Sequence, residues 1–218
     1  MVFYFTGTGN SLYVAKRIEK DPVSIPQVMQ GAAMEFTGDS IGIVTPIYGH
    51  EVPGMVREFL KKAHFHTSYF YMILTYGNRH GGAAELAEKL CEECGIRVQY
   101  INLVLMADNW LPSFDMEEQK RLDKKEEQQI EGILQDLRER KEKIAQVTQE
   151  DRAAHREFLS HMERMPADAW QHLLRITDAC PERAVQLTIP EKNPKARYRN
   201  PNISLQEIIK ANHQILND

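Results

Sequence analysis

The fold is decided by the segment Val2-Phe3-Tyr4-Phe5-Thr6-Gly7-Thr8-Gly9-Asn10-Ser11, an apolar run followed by a loop of small and polar residues. Apolar residues then recur at helical spacing (Leu12, Val14, Ala15, Ile18), so the pattern predicts a buried strand, a tight loop and a helix. A loop in this position directs the free backbone N–H groups of the helix N-terminus at one spot. It contains hydroxyls, glycines and one asparagine but no lysine or arginine. It therefore predicts a phosphate site made of uncharged donors and the helix dipole.

Two other phosphate-binding loops fit this segment less well. A P-loop requires a Gly-Lys pair followed by Ser or Thr, and no lysine lies in the segment. The dinucleotide fingerprint requires a third glycine at position 12, where the chain has Leu12. An ordinary glycine-rich turn without a ligand is the remaining alternative.

Further apolar runs alternate with helical patterns through the first half of the chain. Strands are predicted at Ile41–Thr45, Tyr69–Thr75 and Arg97–Met106, with a weaker one at Val23–Ile25, and helices around residues 55–60 and at Ala83–Glu93. Near-continuous apolar strands between helices are typical of a parallel sheet covered on both faces. We therefore expect a doubly wound α/β fold with five parallel strands.

The composition excludes several classes of protein. The chain has 218 residues, of which 42% are hydrophobic, and a formal net charge of −4. This balance does not suit a general nucleic-acid binder, and no apolar run is long enough to cross a bilayer. The first residues lack a secretory signal pattern, and three cysteines do not make a disulfide framework. We expect a cytoplasmic protein that binds neither nucleic acid nor a membrane.

The second half of the chain is rich in charged residues and is predicted to be largely helical. One apolar stripe is formed by Ile130, Ile133, Leu134, Leu137, Ile144 and Val147. We interpret it as a helix that covers one face of the sheet, and the alternative is the coiled-coil seam of a homodimer. Further helices are predicted at Asp151–Met165 and around residues 205–215.

The loop at residues 6–11 resembles the FMN-phosphate loop of flavodoxins, whose pattern is Ser/Thr-x-Ser/Thr-Gly-Asn-Ser/Thr. More closely, the chain is similar to bacterial flavodoxin-like proteins fused to a two-cluster ferredoxin domain. Three further segments carry that likeness, namely Pro46-Ile47-Tyr48-Gly49, Thr75-Tyr76-Gly77 and Arg197-Tyr198-Arg199-Asn200-Pro201. The resemblance implies a flavodoxin-like sheet of order 2-1-3-4-5 and an FMN-binding domain at residues 1–165.

The resemblance also implies which residues hold FMN. The phosphate is expected at Thr6, Gly7, Thr8, Gly9, Asn10 and Ser11. The isoalloxazine ring is expected between two loops, Pro46, Ile47, Tyr48 and Gly49 on one side and Tyr76, Gly77 and Asn78 on the other. Packing at strand ends is the alternative for the two tyrosines. His50 and His80 follow these loops and are candidates for a proton relay. Because no lysine or arginine lies near the loop in sequence, we also expect a low reduction potential.

The cysteines depart from the fused family, whose two Cys-x₂-Cys-x₂-Cys-x₃-Cys-Pro runs ligate iron–sulfur clusters. Only Cys180-Pro181 remains of such a run here, and three cysteines cannot supply four thiolates. We expect no iron–sulfur cluster and interpret residues 166–218 as a degenerate ferredoxin-like tail with a C-terminal helix. The pair Cys91 and Cys94 is interpreted as helix residues without redox function.

These patterns predict an FMN-binding redox protein that transfers electrons through the flavin, with a redox protein or a small molecule as its partner. One alternative is an FMN-dependent NAD(P)H, quinone or flavin reductase, although no feature identifies a nicotinamide site. The other is a binding module that has lost its cofactor, which the intact loop disfavours.

Overall fold

A parallel sheet of six strands forms the centre of the molecule, in a computed structural model that describes residues 1–32, 34–164 and 190–212. Its strands are β1 (Val2–Tyr4), β2 (Val23–Ser24), β4 (Ser40–Pro46), β6 (Tyr69–Tyr76), β7 (Tyr100–Leu105) and β8 (Lys143–Ile144). A second, smaller parallel sheet pairs β3 (Glu35–Thr37) with β5 (His64–His66).

The main sheet has the order β2-β1-β4-β6-β7-β8. Its first five strands therefore follow the predicted order 2-1-3-4-5, which is consistent with a flavodoxin-like fold. The predicted number of strands is wrong, because Lys143 and Ile144 pair with Tyr100 and Ile101 and add a sixth. Strand β1 lies between β2 on one side and β4 on the other, and the later strands extend the sheet beyond β4, so the order reverses between β1 and β4.

Helices connect the strands and cover both faces of the sheet. They are α1 (Asn10–Ile18), α2 (Ile25–Val28), α3 (Gly54–Lys62), α4 (Ala83–Glu93), α5 (Met116–Arg121), α6 (Glu126–Arg138), α7 (Gln149–Glu163) and α8 (Leu205–Ala211). The predicted helix at residues 83–93 has these same bounds. Gly95 follows it at φ +71°, the left-handed conformation that commonly ends a helix.

Alternate strand residues enter two separate cores. Phe3 and Ile43 pack with residues of α3 and α4 on one face. Tyr4 and Val44 pack with residues of α1, α6 and α8 on the other face. This alternation follows from the two-residue period of a strand, and it explains why the buried strands are apolar at nearly every position.

The apolar stripe of the second half divides between these two cores. Ile130 and Ile133 are 0% and 2% exposed in α6 and pack on the α1 face of the sheet. Ile144 and Val147 belong to the opposite core, because the chain leaves the helix and forms β8. The prediction of one continuous stripe is therefore wrong beyond residue 138. The helix covers the sheet, as expected, because its apolar residues pack in the core on that face. The homodimer stays a prediction.

The small sheet of β3 and β5 was not predicted, because each strand has three residues and one apolar side chain. Phe36 and Phe65 provide those side chains and stack at 5.8 Å. Phe65 also packs on Phe59 and Phe70, and the flanking His64 and His66 lie in β5 at its two ends.

The C-terminal residues pack on the sheet as far as they are described. Arg197 forms an ion pair with Glu191, and both side chains are less than a tenth exposed. Residues 165–189 and 213–218 lie outside the described residues, and with them Cys180 and more than half of the predicted ferredoxin-like tail. Within the described ranges, no helix is long and apolar enough to cross a membrane.

Candidate functional site

The loops that follow β1, β4, β6 and β7 meet at one edge of the main sheet. In open α/β sheets, ligands bind outside the carboxyl ends of the strands where the strand order reverses. That point lies between β1 and β4 here, so the candidate phosphate loop and the two candidate ring loops share it. The sequence predicted this convergence, because the carboxyl ends of parallel strands lie at the same edge.

The candidate phosphate loop is shaped by one left-handed residue. Gly9 has φ +94° and immediately precedes α1, whose first-turn N–H groups have no partner within the helix. The Gly9 N–H donates to the Thr6 hydroxyl at 3.1 Å, which closes the loop on itself. A nonglycine residue is disfavoured at this φ, so the loop geometry itself requires the glycine.

Three hydroxyl groups line this loop and are buried. Thr6, Thr8 and Ser11 are 2%, 6% and 1% exposed. The Ser11 hydroxyl lies 2.8 Å from that of Thr75 at the end of β6. Asn109, which follows β7, donates to the Thr8 hydroxyl at 3.4 Å. Neutral donors of this kind and a helix N-terminus are together suited to a phosphate group.

The first candidate ring loop, residues 46–49, forms a tight turn. Tyr48 and Glu51 exchange two backbone hydrogen bonds of 2.8 and 3.1 Å. The residues between them, Gly49 and His50, have φ of +59° and +69°. Two consecutive left-handed residues are the mark of a type I′ turn, and His50 is held in a conformation that is uncommon for residues other than glycine. The Tyr48 ring packs edge-on against Phe5 at 6.4 Å.

The second candidate ring loop is packed against the end of β7. A Cβ atom on Gly77 would lie 2.4 Å from the Cα atom of Asp108, so only glycine fits there. Tyr76 is half-buried with its ring 5.3 Å from that of His80, and burial raises the pKa of its hydroxyl. Asn78 is exposed.

A lysine that the sequence analysis missed lies at this second loop. The Lys124 ammonium donates to the carbonyl oxygens of Gly77 and Met106 at 2.6 and 2.7 Å and to Gln119 at 3.0 Å. Burial lowers the pKa of Lys124 and raises that of the nearby Asp108. The expectation of a site without nearby cations therefore does not hold. No local signal distinguishes Lys124 within its charge-rich segment.

Helix α7 adds a second group of residues that was not predicted at the site. His80 lies 3.5 Å from the Asp151 carboxylate, and its Nδ1 atom is buried without a hydrogen-bond partner among the described residues. His50 packs on Phe158 at 4.9 Å, and its Nδ1 atom lies 3.4 Å from that of His155. Both histidines that sequence reasoning singled out therefore contact this helix.

No model of a known protein family matches the chain, and no curated protein matches it. Two solved structures are similar to parts of it. The Trp repressor binding protein from Bacillus subtilis is 14% identical over 48% of this chain and 82% of its own, with a TM-score of 0.33. A "putative flavoprotein" from Bacteroides eggerthii DSM 20697 is 16% identical over 62% of this chain and 94% of its own, with a TM-score of 0.34. Because these values are low, the strand order alone supports a flavodoxin-like fold.

The residues present fit a phosphate ester that carries a flat ring. The loop provides buried hydroxyls and a helix N-terminus for the phosphate, and Tyr48 and Tyr76 lie on the two loops beside it. Within the described part of the chain, no group of three or more His, Cys, Asp or Glu side chains is arranged to hold a metal ion. An open groove of 680 Å³ between α4 and the β8–α7 connection contains none of the predicted site residues.

The pair of cysteines lies at the C-terminal end of α4, where the sequence placed it. Cys91 is fully buried with its sulfur 3.5 Å from that of Met72, and burial raises its pKa to about 12. Cys94 caps the C-terminus of the helix, and burial raises its pKa as well. Neither thiol is therefore activated as a thiolate.

Proposed function

We propose that this chain is an FMN-binding redox protein that transfers electrons through its flavin. The observation that carries the proposal is the position of the loop at residues 6–11, next to two aromatic loops at the point where the strand order reverses. The proposal assigns FMN binding to residues 1–165. A redox protein or a small molecule would supply or accept the electrons.

In this proposal the loop binds the phosphate with uncharged groups. The Thr6 hydroxyl accepts from Gly9 N–H and the Thr8 hydroxyl accepts from Asn109, so each retains its own hydrogen for a phosphate oxygen. The dipole of α1 favours the negative charge. Burial of these hydroxyls excludes competing water, which strengthens each hydrogen bond.

The ring would lie between the turn at Tyr48–Glu51 and the loop at Tyr76–Asn78. The type I′ turn presents backbone groups of Gly49, and the second loop offers backbone groups of Gly77 and Asn78. Flavin supplies the redox chemistry, and the protein sets its potential and access. The Lys124 ammonium, bound to the Gly77 carbonyl, supplies positive charge at this loop.

A reductase on the same fold is the second candidate, and the pair of His80 and Asp151 favours it. A histidine beside a carboxylate is a common arrangement for moving a proton at neutral pH. Electron carriers without a substrate do not require such a group. Rapid bleaching of the flavin on mixing with NADPH in a stopped-flow experiment would select the reductase, and slow bleaching would select the carrier.

The direct test is the absorbance spectrum of the purified protein, followed by release and chromatography of any bound flavin. We expect FMN in about one equivalent per chain. Reconstitution of stripped protein with FMN, riboflavin and inorganic phosphate then measures what the loop contributes. A protein that is colourless and binds no FMN in calorimetry would overturn the proposal and favour a module without a cofactor.

A pair of threonine variants sharpens this test. Thr8→Val removes a buried hydroxyl of the loop and keeps its shape, so we expect FMN affinity to fall about five- to twentyfold. Thr67→Val is the matched control, because its hydroxyl bonds to Asp39 and Tyr69 at the opposite edge of the sheet. The control should bind FMN as the wild type does.

A further inference from the structure

The C-terminal residues 196–212, here called the strap, close over the candidate phosphate loop. The Asn200 N–H donates to the Thr8 carbonyl at 2.8 Å, and the Asn212 side chain donates to the Thr6 carbonyl at 3.2 Å. Ile203 packs against Gly9, where an added Cβ atom would lie 3.1 Å from its own. The strap thus contacts Thr6, Thr8 and Gly9 of the loop from about 200 residues away in sequence.

Two strap side chains converge on one atom of Asn10, the first residue of α1. The Tyr198 hydroxyl donates to Asn10 Oδ1 at 2.8 Å, and Asn200 Nδ2 donates to the same oxygen at 3.1 Å. On its other side, Asn10 Nδ2 donates to the Ala107 carbonyl at 3.2 Å. All three hydrogen bonds are consistent with one orientation of the carboxamide, since the Ala107 carbonyl oxygen can accept only from its nitrogen end.

This network determines which end of the Asn10 amide a ligand meets. A carboxamide can turn over and exchange its donor and acceptor ends, and only the donor end attracts a phosphate. Because its oxygen accepts two hydrogen bonds, the amide cannot turn over, and its nitrogen remains the end that can donate to a ligand. Among the described residues, one N–H bonds to the Ala107 carbonyl and the second has no partner, which leaves it for a further acceptor. The two donors also polarise the amide and strengthen that N–H.

We propose that Tyr198 and Asn200 are positioning residues of the candidate phosphate site, acting through the orientation of the Asn10 carboxamide. This inference rests on the proposed function, because it takes the phosphate of FMN as the ligand. It assigns a role in flavin binding to the C-terminal strap, which lies outside the FMN-binding domain predicted from sequence.

The strap is anchored independently of any ligand, as a positioning element must be. The Arg197–Glu191 ion pair fixes its beginning. The Ser24 hydroxyl donates to the Ala211 carbonyl and fixes its end. Lys16 bonds to Glu207 at 2.6 Å and joins α8 to α1. A donor group that is oriented before binding loses less entropy when the ligand arrives.

The experiment compares the affinities of the full chain for FMN and for riboflavin, which lacks the phosphate. Tyr198→Phe removes one donor and keeps the ring that packs with Leu111 and Met116. We expect its affinity for FMN to fall about five- to tenfold and its affinity for riboflavin to change less than about twofold. Asn200→Ala should have an effect of the same sign.

The matched control is Tyr69→Phe, which removes a hydroxyl bonded to the Lys141 carbonyl at 2.7 Å, far from the loop. It should leave the ratio of the two affinities unchanged. A second comparison uses Asn10→Ala as background. If the strap acts through Asn10, adding Tyr198→Phe to that variant should change the ratio by less than about twofold.

Three results would overturn the inference. Unchanged affinities for both flavins in Tyr198→Phe would show that the hydroxyl does not serve the phosphate. An equal loss for FMN and riboflavin would assign the strap a structural role only. A full effect that persists in the Asn10→Ala background would show that Tyr198 does not act through Asn10. Failure of the wild type to bind either flavin would instead refute the proposed function, and this inference with it.

Discussion

The hydroxyl groups of Ser11 and Thr75 lie 2.8 Å apart, and each residue is at most 3% exposed. Ser11 belongs to the first turn of α1, and Thr75 is next to the last residue of β6. The backbone carbonyl of Thr75 also accepts from the Ile47 N–H at 2.9 Å. Thr75 thus joins the candidate phosphate loop to the first candidate ring loop, so the positions of these two loops depend on each other.

Substitution of Thr75 by Val should destabilise the protein by about 1–3 kcal/mol, because it leaves the buried Ser11 hydroxyl without its partner. Urea unfolding measures this loss. The double variant Ser11→Ala/Thr75→Val removes both hydroxyls and should cost less than the sum of the two single variants. Strictly additive losses would show that the two hydroxyls do not interact.

Replacement of Gly9 by Ala should destabilise the protein by about 1–2 kcal/mol and weaken FMN binding. The residue has φ +94°, and a Cβ atom would also lie 3.2 Å from that of Asn200. Gly132→Ala is the matched control, since that glycine lies within α6 with nothing inside 4 Å of an added Cβ. The control should stabilise the protein by about 0.5–1 kcal/mol. Equal thermal midpoints for the two variants would contradict this reasoning.

Much of the fold and of the candidate site could be predicted because the decisive signals are local. A strand such as Tyr69–Tyr76 is buried on both faces, so nearly all of its residues are apolar or aromatic and the strand is visible in the sequence. The loop after β1 could be predicted in the same way, because its residues are adjacent in the chain. β8 could not, since it contains two residues and one of them is a lysine.

The remaining site residues could not be predicted, because their contacts join distant parts of the chain. Lys124 bonds to a carbonyl 47 residues earlier, and Tyr198 to an amide 188 residues earlier. Lys124 does not differ locally from a solvated lysine. The segment that contains Tyr198 is part of the resemblance noted above, but its sequence does not indicate a contact with Asn10. Tertiary packing alone brings both residues to the edge of the sheet, and no periodic pattern in the sequence indicates that placement.

Neutralising Lys124 should lower the reduction potential of bound flavin. Reduced flavin carries additional negative charge, which a cation at the Gly77 carbonyl stabilises. Lys124→Gln keeps a donor for that carbonyl and removes the charge, and we expect the two-electron midpoint potential to fall by about 20–60 mV. Lys125→Gln is the control, because its exposed side chain bonds to Asp123 instead. Equal potentials in spectroelectrochemical titrations of the two variants would show that Lys124 does not act on the flavin.

Acidification should loosen the contact between α7 and the turn that carries His50. Burial, and then the charges of His155, Arg79 and His80, lower the pKa of His50 below its ordinary value of 6.5, while Asp151 acts in the opposite direction. His50 therefore binds a proton less readily in the folded protein than in the unfolded chain. The stability that neutral His50 contributes is fully present above about pH 6.5 and declines as the pH falls toward the lowered folded-state pKa.

The variant His50→Asn isolates this effect, because asparagine tolerates the left-handed backbone at φ +69° and does not titrate. Its free energy of unfolding should fall less than that of the wild type between pH 7 and pH 5, as measured by urea unfolding at each pH. His155→Gln should produce a smaller change in the same direction, since it removes one of the charges that oppose protonation of His50 and leaves the burial in place. Parallel pH profiles for the wild type and His50→Asn would place the acid sensitivity elsewhere in the chain.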